Sequence, residues 1–159
     1  MAEAIARIPR TLQFRVEFRG PAEAAADRQL LAAVQKIIGD DERVSFEAAV
    51  APRQASEVLR KYDVLCCPST CLEGGPTVAI EAHAVGTPVI GSAIGGLAEL
   101  VSDGLNGSLV PPNDVAALAA LLARVATDPA NTIDRWREVL PQPRTMDDIA
   151  ADYLRMYTE

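Results

Sequence analysis

Two carboxylates eight positions apart, Glu73 and Glu81, flank a Gly74-Gly75-Pro76 turn and an apolar run from Thr77 to Ile80. A carboxylate among Val78, Ala79, Ile80 and Ala82 is costly to desolvate unless it meets water or is occupied by donors. A helix opening at Pro76 points free N–H groups and the positive end of its dipole back into the glycine turn, which favours an anion such as a phosphate. At a rise of about 1.5 Å per residue, Glu81 stands roughly 7 to 8 Å along the axis from that start, the reach of a ribose attached to the bound phosphate. Its two oxygens suit a pair of neighbouring hydroxyls. Glu73, on the other side of the anion, is placed for hydroxyls on whatever hangs from the far phosphate. Two carboxylates around a diphosphate suggest a nucleotide-sugar. Plainer readings stay open at this level: a helical glutamate on a solvated face or in an ion pair, and a Gly-Gly-Pro that is only a turn.

The elements that position this loop alternate along the chain. Strand patterns at Leu12 to Phe18, Val44 to Glu47, Val64 to Cys67, Pro88 to Gly91 and Ser108 to Val110 are separated by helical ones. Such alternation predicts right-handed βαβ units, hence an α/β, Rossmann-like parallel sheet of about five strands flanked by helices. Ala22 to Ile38 carries Leu30, Leu31, Val34, Ile37 and Ile38 at helical spacing, with Gly39 as C-cap. Helices are also expected over Pro52 to Lys61, Pro76 to Val85 with Gly86 closing it, and Leu97 to Val101. Asn113 or Asp114 caps a further helix whose Val115, Leu118, Leu121, Leu122 and Val125 line one face. Two last helical segments run near Thr132 to Leu140 and Met146 to Tyr157. Met1 to Ile8 reads as a helix with no strand before it to complete a βαβ unit. In parallel sheets ligands gather beyond the carboxyl ends of the strands, which here means Arg19-Gly20-Pro21, the region after Phe46, Ser69 to Gly75, and Ser92 to Gly96.

Composition narrows the class. With 159 residues, 49% hydrophobic and 4% aromatic, the chain suits one domain with a core of small aliphatic side chains. A net charge of −7 and the lack of a Lys/Arg cluster argue against nucleic acid as a partner. No apolar run approaches the roughly 18 residues of a membrane span, so no transmembrane segment is expected. The expected location is cytoplasmic, which leaves room for peripheral membrane contact through other parts of a full-length protein. Cys66, Cys67 and Cys71 with the single His83 do not supply the ligand spacing of a zinc site, so no metal and no cofactor is expected. The cysteines read as thiols at the end of a strand in a reducing compartment. His83, two residues past Glu81, faces another side of the helix and reads as packing; Trp136, Tyr153 and Tyr157 read as packing anchors.

Taken together, the stretch from Tyr62 to about Leu122 closely resembles the donor-binding half of the retaining glycosyltransferases of family four, which have the two-domain GT-B architecture. Glu73 and Glu81 match the E-x7-E motif of that family residue for residue. Weaker resemblance extends to FRGP at Phe18 to Pro21, to RVSFEAAV at Arg43 to Val50 and to the terminal DDIAADYLRMY. The resemblance implies a catalytic role for Glu73 at the donor sugar's hydroxyls. It places sugar and diphosphate on the backbone of Gly74, Gly75, Pro76 and Thr77, ribose hydroxyls on Glu81, and the base near Ala49 and Val50. Arg19 and Gly20 stand at a strand's ligand end, Arg19 as a substitute for basic residues that the family carries before its first helix. The implied reaction moves a sugar from a nucleotide-sugar to a hydroxyl acceptor with retention at the anomeric carbon. Residues 1–159 are thus expected to form a single donor-binding domain, a fragment lacking the N-terminal acceptor domain and without turnover by itself. Glycine is usual in the family where Phe18 stands, which concerns the shape of the base pocket. Two other readings stay open: a non-catalytic nucleotide-sugar-binding module, and a sugar-nucleotide epimerase of related architecture.

Overall fold

The computed structural model describes residues 1–72, 74–141 and 144–158. In chain order the elements are α1 (Ala2–Ala6), β1 (Val16–Gly20), α2 (Ala25–Ile38), β2 (Val44–Ala48), α3 (Ala55–Leu59), β3 (Leu65–Cys67), α4 (Thr77–Ala84), β4 (Val89–Ser92), α5 (Gly95–Leu100), β5 (Gly107–Val110), α6 (Val115–Thr127), α7 (Arg135–Glu138) and α8 (Met146–Thr158). A 3-10 turn over Pro52–Gln54 leads into α3, and a π-helical turn over Ala130–Asp134 leads into α7.

The five expected strands are present and every ladder is parallel, but they bond in two groups. β1 pairs with β2 from Val16 opposite Val44 to Gly20 opposite Ala48. The other group runs β3-β4-β5, with Val89 between Leu65 and Gly107. β4 is the spine. Its residues alternate between faces, as a period of two requires: Val89 packs with Leu59, Ala79, Ala82, Leu97 and Val101. Ile90 turns the other way, into a cluster with Ile8, Val110, Leu118, Leu121, Val125, Ile133 and Trp136. Helices α3, α4 and α5 therefore cover one face, while α1 and α6 cover the other. A third cluster of Ala2, Ile5 and Ile38 seats α1 and α2 on the aromatic face of β1 and β2, where Phe18 stacks on Phe46 at 5.4 Å.

Glycine and cap chemistry set several ends as expected. Gly39 (φ +64°) ends α2 and Gly86 (φ +86°) follows α4, both in the left-handed region that side chains avoid. Of the two capping candidates, Asp114 is the N-cap and accepts from the Ala117 amide at 2.8 Å, whereas Asn113 takes the strained φ of +64°. A side chain at Gly107 would collide with the Val89 carbonyl, so only glycine lets β5 lie this close to β4.

Three expectations are corrected. β1 starts at Val16 rather than Leu12 because the Arg43 guanidinium claims the preceding stretch. It donates to the carbonyls of Ile8, Pro9 and Leu12 at 3.2, 2.8 and 3.2 Å, and lies over the Phe14 ring. The same strand runs on to Gly20, so Arg19 and Gly20 are its last residues rather than loop. Trp136 is buried as expected, but Tyr153 and Tyr157 are 57% and 84% exposed, since α8 buries no residue.

Candidate functional site

The glycine loop and α4 build the centre of the candidate site. Pro76 is the N-cap of α4 in an extended conformation with no side-chain cap, and its carbonyl accepts from both Ala79 and Ile80. The amides of Thr77 and Val78 belong to the first turn, whose N–H groups have no partner within a helix. Gly74, Gly75 and Thr77 are exposed. Gly75 takes a φ of +153°, and a Cβ on Gly96 would sit 2.6 Å from the Gly74 oxygen and from Gly75 Cα. The loop therefore rests directly on the first turn of α5, a contact only glycine at position 96 permits. Gly96 was not among the expected site residues; the Ser92 to Gly96 segment at the end of β4 carries the only sequence hint of it.

Glu81 lies one turn on from Thr77, about 6 Å along the axis. Thr77, Val78 and Glu81 share a stripe of α4 because residues three and four apart are neighbours on a helix. That stripe faces water: Ala79, Ala82 and His83 are buried, while Val78, Ile80 and Glu81 are exposed. The desolvation cost suggested by the apolar run does not arise, since the run is apolar on both faces and only one is covered. Glu73 lies outside the described residues.

A cavity of about 1,050 Å³ opens between β1 and β3, and Arg19, Val50 and Val78 line its rim. Gly20, Gly74, Gly75, Pro76, Thr77 and Glu81 do not line it. Arg19 is engaged: it pairs with Glu17 at 2.6 Å, donates to the Ala48 carbonyl at 2.8 Å, and meets the Tyr62 hydroxyl at 3.4 Å. Tyr62 also donates to Glu17, so these three side chains link the two strand groups. The Tyr62 hydroxyl and Arg19 hold the Glu17 carboxyl below its ordinary range, and the guanidinium is raised by its own hydrogen bonds to Tyr62 and Glu17. Burial raises Tyr62.

His83 is on another side of α4 from Glu81, as the sequence implies. It is 5% exposed, neither ring nitrogen has a hydrogen-bond partner among the described residues, and burial lowers its pKa, disfavouring the charged form. Cys66 in β3 is pushed up to about 12 by burial, so it remains a thiol. Among the described residues no group of three or more His, Cys, Asp or Glu is arranged to hold a metal ion. No helix among them is long and apolar enough to cross a membrane.

Comparisons with known proteins converge on one family. The model of the glycosyl transferases group 1 matches residues 3–139. Similar curated proteins include D-inositol 3-phosphate glycosyltransferases. That of Kribbella flavida is 40% identical over 92 residues, which cover 58% of this chain and 22% of the relative. That of Mycolicibacterium smegmatis is 33% identical over 126 residues, covering 77% and 29%. Among solved structures, the sucrose-phosphate synthase of Thermosynechococcus elongatus superposes with a TM-score of 0.80 at 33% identity over 99% of this chain and 40% of that one. Anabaena HepE in complex with UDP-glucose shares the fold, with a TM-score of 0.80 at 23% identity over 99% of this chain and 43% of that one. The chain thus spans less than a third of the length of these two curated relatives. With residues 3–139 matched, well over half of its length, the chain belongs to the glycosyl transferases group 1 family.

Proposed function

We propose that the chain is the donor-binding part of a retaining glycosyltransferase, holding a nucleoside-diphosphate sugar whose sugar passes to a hydroxyl acceptor bound elsewhere in the full-length protein. The observation that carries this reading is the uncapped start of α4. It presents the Thr77 and Val78 amides beside a glycine loop fixed on Gly96, with Glu81 exposed on the same stripe.

In this reading the diphosphate takes the amides of Gly74, Gly75, Thr77 and Val78 and the positive end of the α4 dipole. Glu81 accepts from the ribose hydroxyls about one helical turn away, and Glu73 accepts from hydroxyls of the sugar, completing the E-x7-E pair. The base lies toward Val50, and Gly20 ends β1 next to Arg19 with a backbone free of side chain. Arg19 already answers Glu17, so its charge toward an anion is shared rather than free. In the transfer, the bond from the anomeric carbon to the diphosphate oxygen breaks as the acceptor oxygen attacks from the same face, and the acceptor proton leaves with the departing phosphate. The helix start contributes by stabilising the charge that grows on the leaving diphosphate. HepE was crystallised with UDP-glucose and with UDP, which supports uridine nucleotides as the first ligands to test.

Calorimetric titration with UDP and UDP-glucose is the test. Glu81→Gln should weaken binding about tenfold or more, the value of a charge-assisted hydrogen bond at stake. Equal binding by that variant would remove the ribose role. Sugar transfer by residues 1–159 alone would show that the acceptor site is not elsewhere, and interconversion of a sugar-nucleotide without acceptor would favour the epimerase reading.

A further inference from the structure

Among the described residues, His83 is the one buried side chain whose polar atoms lack a hydrogen-bond partner. It lies on the packed side of α4, which consists of Ala79, Ala82 and His83. Two methyl groups and an imidazole thus hold the helix to the layer beneath it, and the imidazole is the largest of the three. α4 has eight residues, and a helix shorter than about 12 residues is marginal without tertiary packing. Its order therefore depends on that small face. A neutral ring left without partners gives up one donor and one acceptor; a charged ring gives up two donors and the hydration of its charge.

No neighbouring charge makes up that deficit. α4 packs on α3, β3 and β4. The titratable groups there are Glu57 in α3, with Arg60 and Lys61 just past it, and Cys66 and Cys67 in β3; β4 has none. Glu57, Arg60 and Lys61 are exposed, and Cys66 is a buried thiol. Glu81 on α4 and Glu99 on α5 are exposed as well. Burial is what lowers the ring's pKa, with no charged group contributing. A folded value below the ordinary 6.5 gives stability that is present above about pH 6.5 and lost as pH falls through the folded value.

We propose that His83 makes the donor site acid-sensitive: the ring takes up a proton only when α4 lifts from the layer beneath it, so protonation and nucleotide-sugar binding exclude each other. This regulation rests on the donor-binding reading of the same helix. The Thr77 and Val78 amides stand less than two turns before His83, and Glu81 stands two residues before it. A helix that leaves the layer beneath carries all three out of place. Binding to the packed form therefore lowers the ring's pKa further, and acid weakens the ligand in return, as linked equilibria require.

The chain has a single histidine, so one imidazole resonance in an NMR titration reads the ring directly. It should titrate below 6.5, and UDP-glucose at about ten times its dissociation constant should lower it by about one further unit. UDP-glucose suits this test because its diphosphate is esterified at both ends and keeps its charge across the range in which histidine titrates. Amide exchange without nucleotide is the second readout. As pH falls from about 7.5 to about 5, the α4 amides should lose protection by up to about tenfold for each unit by which the ring is lowered. Leu121 and Val125 of α6 should stay slower than α4, which marks the opening as local. His83→Leu and His83→Gln, neither of which charges in this range, should hold both α4 protection and UDP-glucose affinity level, and whichever of the two folds decides the comparison. A ring that titrates at 6.5 or above, a titration unmoved by UDP-glucose that binds, α4 protection that stays constant while the ring charges, or an equal loss in the variants overturns the proposal. Absence of UDP-glucose binding at about pH 7.5 would instead remove the donor reading, and the nucleotide-free exchange would still decide whether α4 opens with His83.

Discussion

The two strand groups are built from similar residues yet buried very differently. All four residues of β4 are buried, with Val89 at 0% and Ile90 at 1% exposure, because β4 is bonded on both sides and covered on both faces. β1 and β2 contain Val16, Phe18, Val44 and Phe46, and none of these is fully buried. Their ladder is longer, five paired residues against three and four in the other group. Ladder length therefore does not decide protection here; cover on both faces does, since β5 pairs on one side only and still has three of its four residues buried. The difference also separates two kinds of candidate site residue. The glycine loop and α4 grow out of the buried group, while Arg19 and Gly20 end the exposed one.

Truncation should break that symmetry most visibly. Ile90→Ala leaves a cavity at the centre of the buried group and should cost about 2–5 kcal/mol in urea unfolding. Phe46→Ala, which removes a ring stacked on Phe18 at a partly open surface, should cost about 2 kcal/mol despite the larger side chain removed. Equal losses would mean that the two groups are equally consolidated.

Gly96→Ala should come next, at about 1–3 kcal/mol, since the methyl must displace backbone of the 74–75 loop rather than a flexible side chain. UDP affinity should fall with it, whereas the amide protection of β1 should not change. Asp41 offers a sharper probe of the β1–β2 side. The Arg43 guanidinium holds its carboxyl at about 2, below the ordinary 3.8. A folded value below the unfolded one gives stability that is present above about pH 4 and lost as pH falls toward 2. Asp41→Asn should cost on the order of 1–2 kcal/mol at pH 7 and flatten the stability profile in that window, as thermal unfolding across pH would read. The smallest effect on stability belongs to Glu81→Gln, within about 0.5 kcal/mol because the side chain is exposed, even though it should weaken nucleotide binding.

Much of the fold was legible because its signals are local. Gly39 and Gly86 end helices through their own φ, and Asp114 caps α6 through an oxygen three residues from the amide it accepts. The start of β1 was not legible. It is set by Arg43, some thirty residues away, whose guanidinium draws the carbonyls before Val16 out of the strand. Tyr153 and Tyr157 show the converse: α8 has a helical apolar pattern, but a pattern buries nothing without a surface to meet it. For the site, spacing set how far along α4 Glu81 stands from the glycine loop and left open whether it lay on a solvated face; its exposure depends on where α3 and α5 stop covering the helix. Gly96 was hidden for the same reason, being a contact between segments about twenty residues apart. Arg19 was read from its position at a strand end as a substitute for the family's basic residues, and its pairing with Glu17 and Tyr62 could only come from the packed chain.

The close approach of Gly74 and Gly75 to Gly96 has a thermodynamic consequence for any anion that binds there. A glycine pair in open solvent samples many backbone states, and ordering each residue costs on the order of 1–2 kcal/mol of conformational entropy. Here that ordering is completed during folding, against the first turn of α5, so a ligand meets a loop already shaped and its contacts are not offset by freezing the backbone.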